Sequence, residues 1–170
     1  MRVLWSDHVT WTRLFLVSAV GGLADKDAVL ARLLKNQEDI GNALKPVYGD
    51  DAGTKLSTLL KDHIAIAGEL VTAATAADTA KVDAAQTKWA ANADEIAAFL
   101  SGANAAAWPL ETVKMMLHEH LTATTAELKA RVAKDWDADI AAFENVRQQA
   151  LKMADTLSDG IRSQHPEKFK

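Results

Sequence analysis

Three histidines stand in related surroundings: His8 in LWSDHVTWTRLF, His63 in LLKDHIAIAGEL and His120 in MLHEHLTATTAEL. Each follows an acid and precedes a bulky aliphatic residue, and the separations are 55 and 57 residues. A neutral imidazole ligates Zn, Ni or Cu through one ring nitrogen. It ordinarily donates its other N–H to a carboxylate or a carbonyl. Three such rings with a carboxylate or water would suit Zn or Cu. The preceding acids, Asp7, Asp62 and Glu119, are poor partners for the adjacent rings, because neighbouring helical residues project about 100° apart. They are expected to face another helix or solvent. The competing reading is packing alone: an imidazole on an apolar helix face needs a hydrogen-bond partner and no ligand.

Asn36 and Asn92 are the polar residues that stand out next. Aligning LLKNQEDIG (33–41), WAANADEIA (89–97) and ALKMADTLS (150–158) puts Asn36, Asn92 and Met153 in one column. These lie 28, 29 and 33 residues after the corresponding histidines. An amide on an apolar stripe must find partners inside. Asn36, Asn92 and Asp139 are therefore candidate contacts to a bound ligand, or partners of the histidines themselves. Arg13, on an apolar helix, needs Asp39, Glu38 or another acid if it is buried. The five tryptophans read first as packing. A second reading makes them an aromatic wall for a flat ligand.

Other chemistries lack their residues. There is no cysteine, which removes thiolate sites and disulfides. Glu-x-x-His, His-x-x-x-His and His-Glu-x-x-His do not occur, so di-iron and zincin patterns are missing. His118 and His120 diverge by about 200° on a helix and cannot share an ion. No Gly-x-Ser-x-Gly elbow is present. A net charge of −4 without a basic run opposes nucleic-acid binding. No apolar run reaches the roughly 18–20 residues needed to span a bilayer.

These side chains must be positioned by helices. Apolar residues recur at 3.6-residue spacing throughout, and only 8 glycines and 3 prolines interrupt 170 residues. Breaks are expected at Gly21-Gly22, at Lys45-Pro46 through Asp50, at Asp78, at Ser101-Gly102 and at Trp108-Pro109. Others are expected near Lys134-Asp135, and at Gly160 with His165-Pro166. The result is an all-α antiparallel bundle of about six helices in a single domain. Three hairpins at 3–46, 52–102 and 109–162 build it, each with a histidine on its first helix. In the last helix the core stripe is expected to run through Trp136, Ile140, Phe143, Arg147, Ala150, Met153 and Leu157. Leu33, Ile40, Leu60, Leu70, Trp89, Ile96, Phe143 and Leu157 are expected to be nearly inaccessible.

The run LWSDHVTWTRLFLVSAVGGLADKDAVLARLLKNQEDIGNALKPVYGD resembles a family of bacterial all-helical proteins, as do WAANADEIAAFLS, MLHEHL and QALKMADTLSDGI. The resemblance covers nearly the whole chain and implies a helical fold. Members carry names such as glycosyltransferase or acetylglutamate kinase. Neither fits these residues, which contain no sheet pattern and no phosphate-binding glycine loop.

The sequence therefore points to a non-enzymatic binding protein that holds Zn, Cu or another transition metal, or a small molecule, in a His-containing core. The alternative is a structural or interaction protein whose buried polar network binds nothing. It is expected to be soluble, cytoplasmic, or periplasmic if an export signal was removed. No oligomeric state follows.

Overall fold

A computed structural model describes residues 1–169. It contains six α-helices: α1 (Arg2–Gly21), α2 (Lys26–Tyr48), α3 (Asp50–Thr75), α4 (Thr79–Ala103), α5 (Leu110–Ala133) and α6 (Trp136–Gln164). A short 3₁₀ turn, Pro166–Phe169, follows, and no strand occurs among the described residues. Helix accounts for 89% of the chain, arranged as an antiparallel bundle.

Each helix packs on the next, and α6 packs back on α1. The odd-numbered helices α1, α3 and α5 also touch one another. They form an inner triangle, with the even-numbered helices wrapped outside. Residues that face the triangle are thereby enclosed from both sides.

The helix ends follow local chemistry. Asp78 and Asp135 cap α4 and α6, accepting from the backbone N–H groups of Lys81 and Ala138. Gly22, at φ 63°, ends α1 in the left-handed conformation that glycine tolerates. The turn expected across Lys45 to Asp50 falls at its Gly49 end, and one expected break, Gly160, is not a break. Pro46 lies inside α2, which runs on to Tyr48, and Gly49 alone makes the turn into α3. Gly160 lies inside α6, which continues to Gln164. There it leaves space for the Trp108 indole: a Cβ would lie 2.1 Å from Nε1.

The core matches the expected periodicity except at the start of α6. Leu33, Ile40, Leu60, Leu70, Trp89, Ile96 and Leu157 are all buried. Phe143 is only half-buried, Arg147 is exposed, and Trp136 and Ile140 are 52% and 58% exposed. The inward stripe of α6 is instead Asp139, Val146, Ala150, Met153 and Leu157. Asp139 takes the inner position because two arginines meet it there. Those guanidinium groups stack outward on the displaced rings: Arg13 lies 5.4 Å from the Phe143 centroid and Arg131 5.1 Å from that of Trp136.

Truncating Leu60 to Ala should cost about 2–5 kcal/mol in urea unfolding, whereas Ile140→Ala should cost less than about 0.5 kcal/mol. Equal losses would contradict this assignment of core and surface.

Candidate functional site

His8 on α1, His63 on α3 and His120 on α5 are all buried and face one another inside the triangle. The His8 and His120 ring centroids are 5.7 Å apart, and those of His63 and His120 are 6.4 Å apart. The rings line a cavity of about 20 Å³ together with Thr12, Thr124 and an apolar wall that includes Phe15, Leu33, Ile64 and Leu128.

The orientation of two of the rings can be followed back to the backbone. On α4, the Asn92 amide donates through Nδ2 to the carbonyl of Leu59 at 3.2 Å. Its oxygen, so fixed, lies 2.8 Å from His63 Nδ1. The ring must then carry its proton on Nδ1, because an amide oxygen only accepts. On α6, Gln149 donates through Nε2 to Met116 O at 2.7 Å, and its Oε1 lies 3.1 Å from His120 Nδ1. Leu59 and Met116 stand one helical turn before their histidines. With Nδ1 engaged by the outer helix, Nε2 is the ring nitrogen left free of that helix. In a neutral imidazole with an Nδ1 proton, Nε2 holds a free lone pair.

His8 is held differently. Gln37 Nε2 lies 3.2 Å from His8 Nδ1, but also 2.9 Å from Leu33 O and 3.2 Å from Asn36 Oδ1. Two amide hydrogens cannot serve three acceptors. Asn36 makes the backbone bond that Asn92 makes in α4, donating to Leu4 O at 3.0 Å. Gln37 Oε1 is buried without a partner. The contacts still favour the amide as it stands, because a half-turn would set Oε1 against the Leu33 and Asn36 oxygens; His8 Nδ1 is then an acceptor, and the neutral ring carries its proton on Nε2.

In all three cases the partner is 29 residues beyond the histidine: Gln37, Asn92 and Gln149. The column Asn36, Asn92 and Met153 is therefore off register in two of its three members. Met153 is a buried apolar residue of the core. Gln37 and Gln149 differ from Asn92 in residue type, which conceals the correspondence in the sequence. A constant spacing of 29, with Asn and Gln treated as equivalent amides, finds them.

Asp139 does not touch the histidines. It forms a bidentate pair with Arg13 and accepts from Arg131 at 3.0 Å. Arg13 also donates to Glu127 at 3.0 Å. Asp139 and Glu127, both buried, are the acids that Arg13 requires, rather than Glu38 or Asp39. Glu38 bonds Lys35 and Lys61 at the surface. Asp62 and Glu119 are exposed, and Asp7 lies 3.9 Å from Arg32 of α2.

Burial shapes the protonation of the whole region. It pushes His63 down to about 3 and His120 to about 4, and drives His8 well below its ordinary value, with the neighbouring histidines adding to the effect on His8 and His63. Burial also raises the Glu127 carboxyl to about 7, against the pull of Arg13. At Asp139 burial acts in the same direction, but Arg13 and Arg131 overcome it and hold the group below its usual range.

Three neutral imidazoles with two free lone pairs can coordinate an ion or bind one water. A tetrahedral site with metal–nitrogen bonds of about 2.0–2.1 Å would place the ring centroids about 5 Å apart. The rings would have to draw together by about 1 Å to reach that spacing. Accordingly, no group of three or more His, Cys, Asp or Glu side chains among the described residues is already spaced for coordination. No helix among the described residues is long and apolar enough to cross a membrane. Comparison with known proteins finds no matching family model, no matching curated protein and no matching solved structure.

The histidines make the fold acid-sensitive. Between pH 6.5 and about 4 the unfolded chain binds their protons and the fold does not, so stability rises with pH. Each histidine contributes up to about 1.4 kcal/mol per pH unit in that window. Glu127 acts in the opposite sense. Its raised pKa stabilises the fold at low pH, and this contribution is lost as pH rises from about 4.5 to about 7. With three groups against one, stability measured in urea should fall from pH 6.5 to pH 5. Glu127→Gln should steepen the fall. A flat profile would contradict the buried, neutral state of the histidines.

Asn92→Leu leaves the His63 N–H without an acceptor and should cost about 1–3 kcal/mol in the same measurement. A loss within error would show that the amide does not hold the ring.

Proposed function

We propose that this protein is a non-enzymatic binding protein that holds one transition-metal ion, of the Zn or Cu class, between His8, His63 and His120. The observation that carries the reading is the orientation of the rings. Outer-helix amides engage Nδ1 of His63 and His120 and leave Nε2 free of them, and all three rings line one cavity; a metal-ligating histidine is ordinarily held by its other ring nitrogen in this way. The low proton affinity of all three supports it, because an ion would face little competition from protons at neutral pH. His8 would join the set by presenting Nε2 as an acceptor. That requires the ring to move its proton from Nε2 to Nδ1 and to give up the bond it accepts from Gln37. The roles of Asn92, Gln149 and Gln37 are those of positioning residues. Asn36 acts one step further out, through Leu4 and Gln37. Asp139 has no part in the site.

The size of the cavity narrows the ligand. A volume of about 20 Å³ admits one water-sized body. Organic ligands occupy pockets of roughly 300–1,000 Å³. A flat cofactor therefore has no room in the cavity that the histidines share with Trp89. The second reading, a structural network around a single buried water, is favoured by one further observation. The Thr124 hydroxyl lines the cavity and is buried without a partner, so it could bond such a water.

Metal analysis separates the two readings. Tag-free protein, stripped with a chelator and dialysed against zinc or copper, should take up one ion per chain and melt at a higher temperature. The triple variant His8→Gln, His63→Gln, His120→Gln should take up none. No uptake by the unaltered protein would leave the structural reading in place.

A further inference from the structure

The cavity among the histidines lies inside the bundle, and anything that enters or leaves it has to cross a wall of side chains. We infer that the Trp89 indole is the gate in that wall: it swings outward into the groove between α4 and α5 and so opens a path between solvent and the imidazoles. The path serves water and an ion alike, so the inference stands apart from the question of what the cavity holds.

Trp89, on α4, borders two spaces. On one side it lines the histidine cavity, with its ring centroid 5.0 Å from that of His63 and the two planes tilted by 37°. On the other it lines a surface groove of about 410 Å³, together with Gln86, Ala90, Thr122, Thr125 and Lys129. One side chain therefore stands between the groove and the cavity. It closes the path almost completely, since Trp89 is only 3% exposed.

Two features make this part of the wall movable. No hydrogen bond holds the indole, because its Nε1–H is buried without a partner. Trp108, by contrast, donates its indole N–H to Thr156 O at 3.3 Å. A buried donor with its bond unmade carries a desolvation penalty. Swung into the groove, the Trp89 N–H would meet water or the side-chain oxygens of Gln86, Thr122 and Thr125. The closed state thus carries a penalty that the open state lacks. Burial of the apolar ring still favours closure, so the open form is a minor state. The second feature is room. Small residues, Ala90 and Ala126, flank the groove, and Thr122 and Ala126 are exposed. Rotation about side-chain bonds can therefore move the ring between staggered positions without displacing a helix.

The rest of the cavity wall is less suited to opening. Thr12 is half-buried, but its hydroxyl donates to His8 O of its own helix at 2.8 Å. Ala67 is half-buried and has no side-chain torsion that could clear a path. The other lining residues are buried.

A thiol placed in the cavity tests the gate. The chain contains no cysteine, so Thr124→Cys puts a single reactive group beside the histidines. Its rate of modification by methyl methanethiosulfonate, measured in urea well below the unfolding midpoint, tracks how often a path opens. The expected rate is nearly independent of urea, because one swinging side chain exposes little surface. Adding Ala126→Leu, which fills the groove from α5, should slow the reaction at least about threefold, because it lowers the open population. Adding Trp89→Ala instead should speed it at least about tenfold, because the gate is then absent. A rate that rises with the full urea slope of global unfolding would overturn the inference. So would an Ala126→Leu variant that reacts as fast as its parent, or a folded Trp89→Ala variant that reacts no faster. Ala126 is at the surface, so the decision stands even if Trp89→Ala does not fold.

Discussion

The arrangement depends on a backbone carbonyl one turn before a histidine. Leu59 O and Met116 O already take part in helical bonding, yet each has a second lone pair that accepts from an amide on the adjoining outer helix. That bond decides which end of the amide faces the ring. The amide decides which ring nitrogen carries the proton, and the proton decides what the ring offers to the cavity. Helix packing is thereby converted into the chemical state of an imidazole some distance away. The same bonds tie α3 to α4 and α5 to α6, so the register of each pair and the orientation of its histidine are set together. Buried amides that fail to find such partners would each be costly, which is why the pairing tolerates little slippage.

Two buried polar groupings share the centre of this small bundle, and they are satisfied in opposite ways. The histidines remain neutral by excluding water and by keeping one another uncharged. The Arg13, Asp139 and Arg131 group keeps charge by pairing it, with planar guanidinium groups braced on Phe143 and Trp136, while burial lifts the adjoining Glu127 carboxyl to about 7. His120, Thr124 and Glu127 occupy successive turns of one face of α5, so a single helix links the two groupings. Keeping the carboxylates engaged by arginine has a consequence for the cavity. No negative charge is released towards the imidazoles, and the site stays neutral.

Much of the fold was legible because helix periodicity, alanine content and scarce breakers all point the same way. The caps Asp78 and Asp135 could be read directly from residue type. The turn expected within Lys45 to Asp50 falls at Gly49, whose positive φ makes it, while Pro46, near the helix end, is accommodated inside α2. The first turns of α6 are misleading. Trp136, Ile140 and Phe143 make a persuasive apolar stripe, but a carboxylate with two arginine partners outcompetes them for the interior. Sequence periodicity counts apolar residues and cannot see a pair formed across 126 positions. The convergence of His8, His63 and His120 was legible from their spacing. Their partners were only half so, because Asn36 matches Asn92 in identity whereas Gln37 matches it in position. The fixed interval of 29 residues carries the information, and residue identity concealed it.

The central claim is that outer-helix amides fix the protonation of the inner imidazoles. The tautomers of His63 and His120, read from ¹⁵N chemical shifts and long-range ¹⁵N–¹H couplings of metal-free protein at neutral pH, test it most directly. The account predicts that both rings are neutral, with the proton on Nδ1 and an unprotonated Nε2. Finding the proton on Nε2 in either ring, or finding either ring charged, would contradict it.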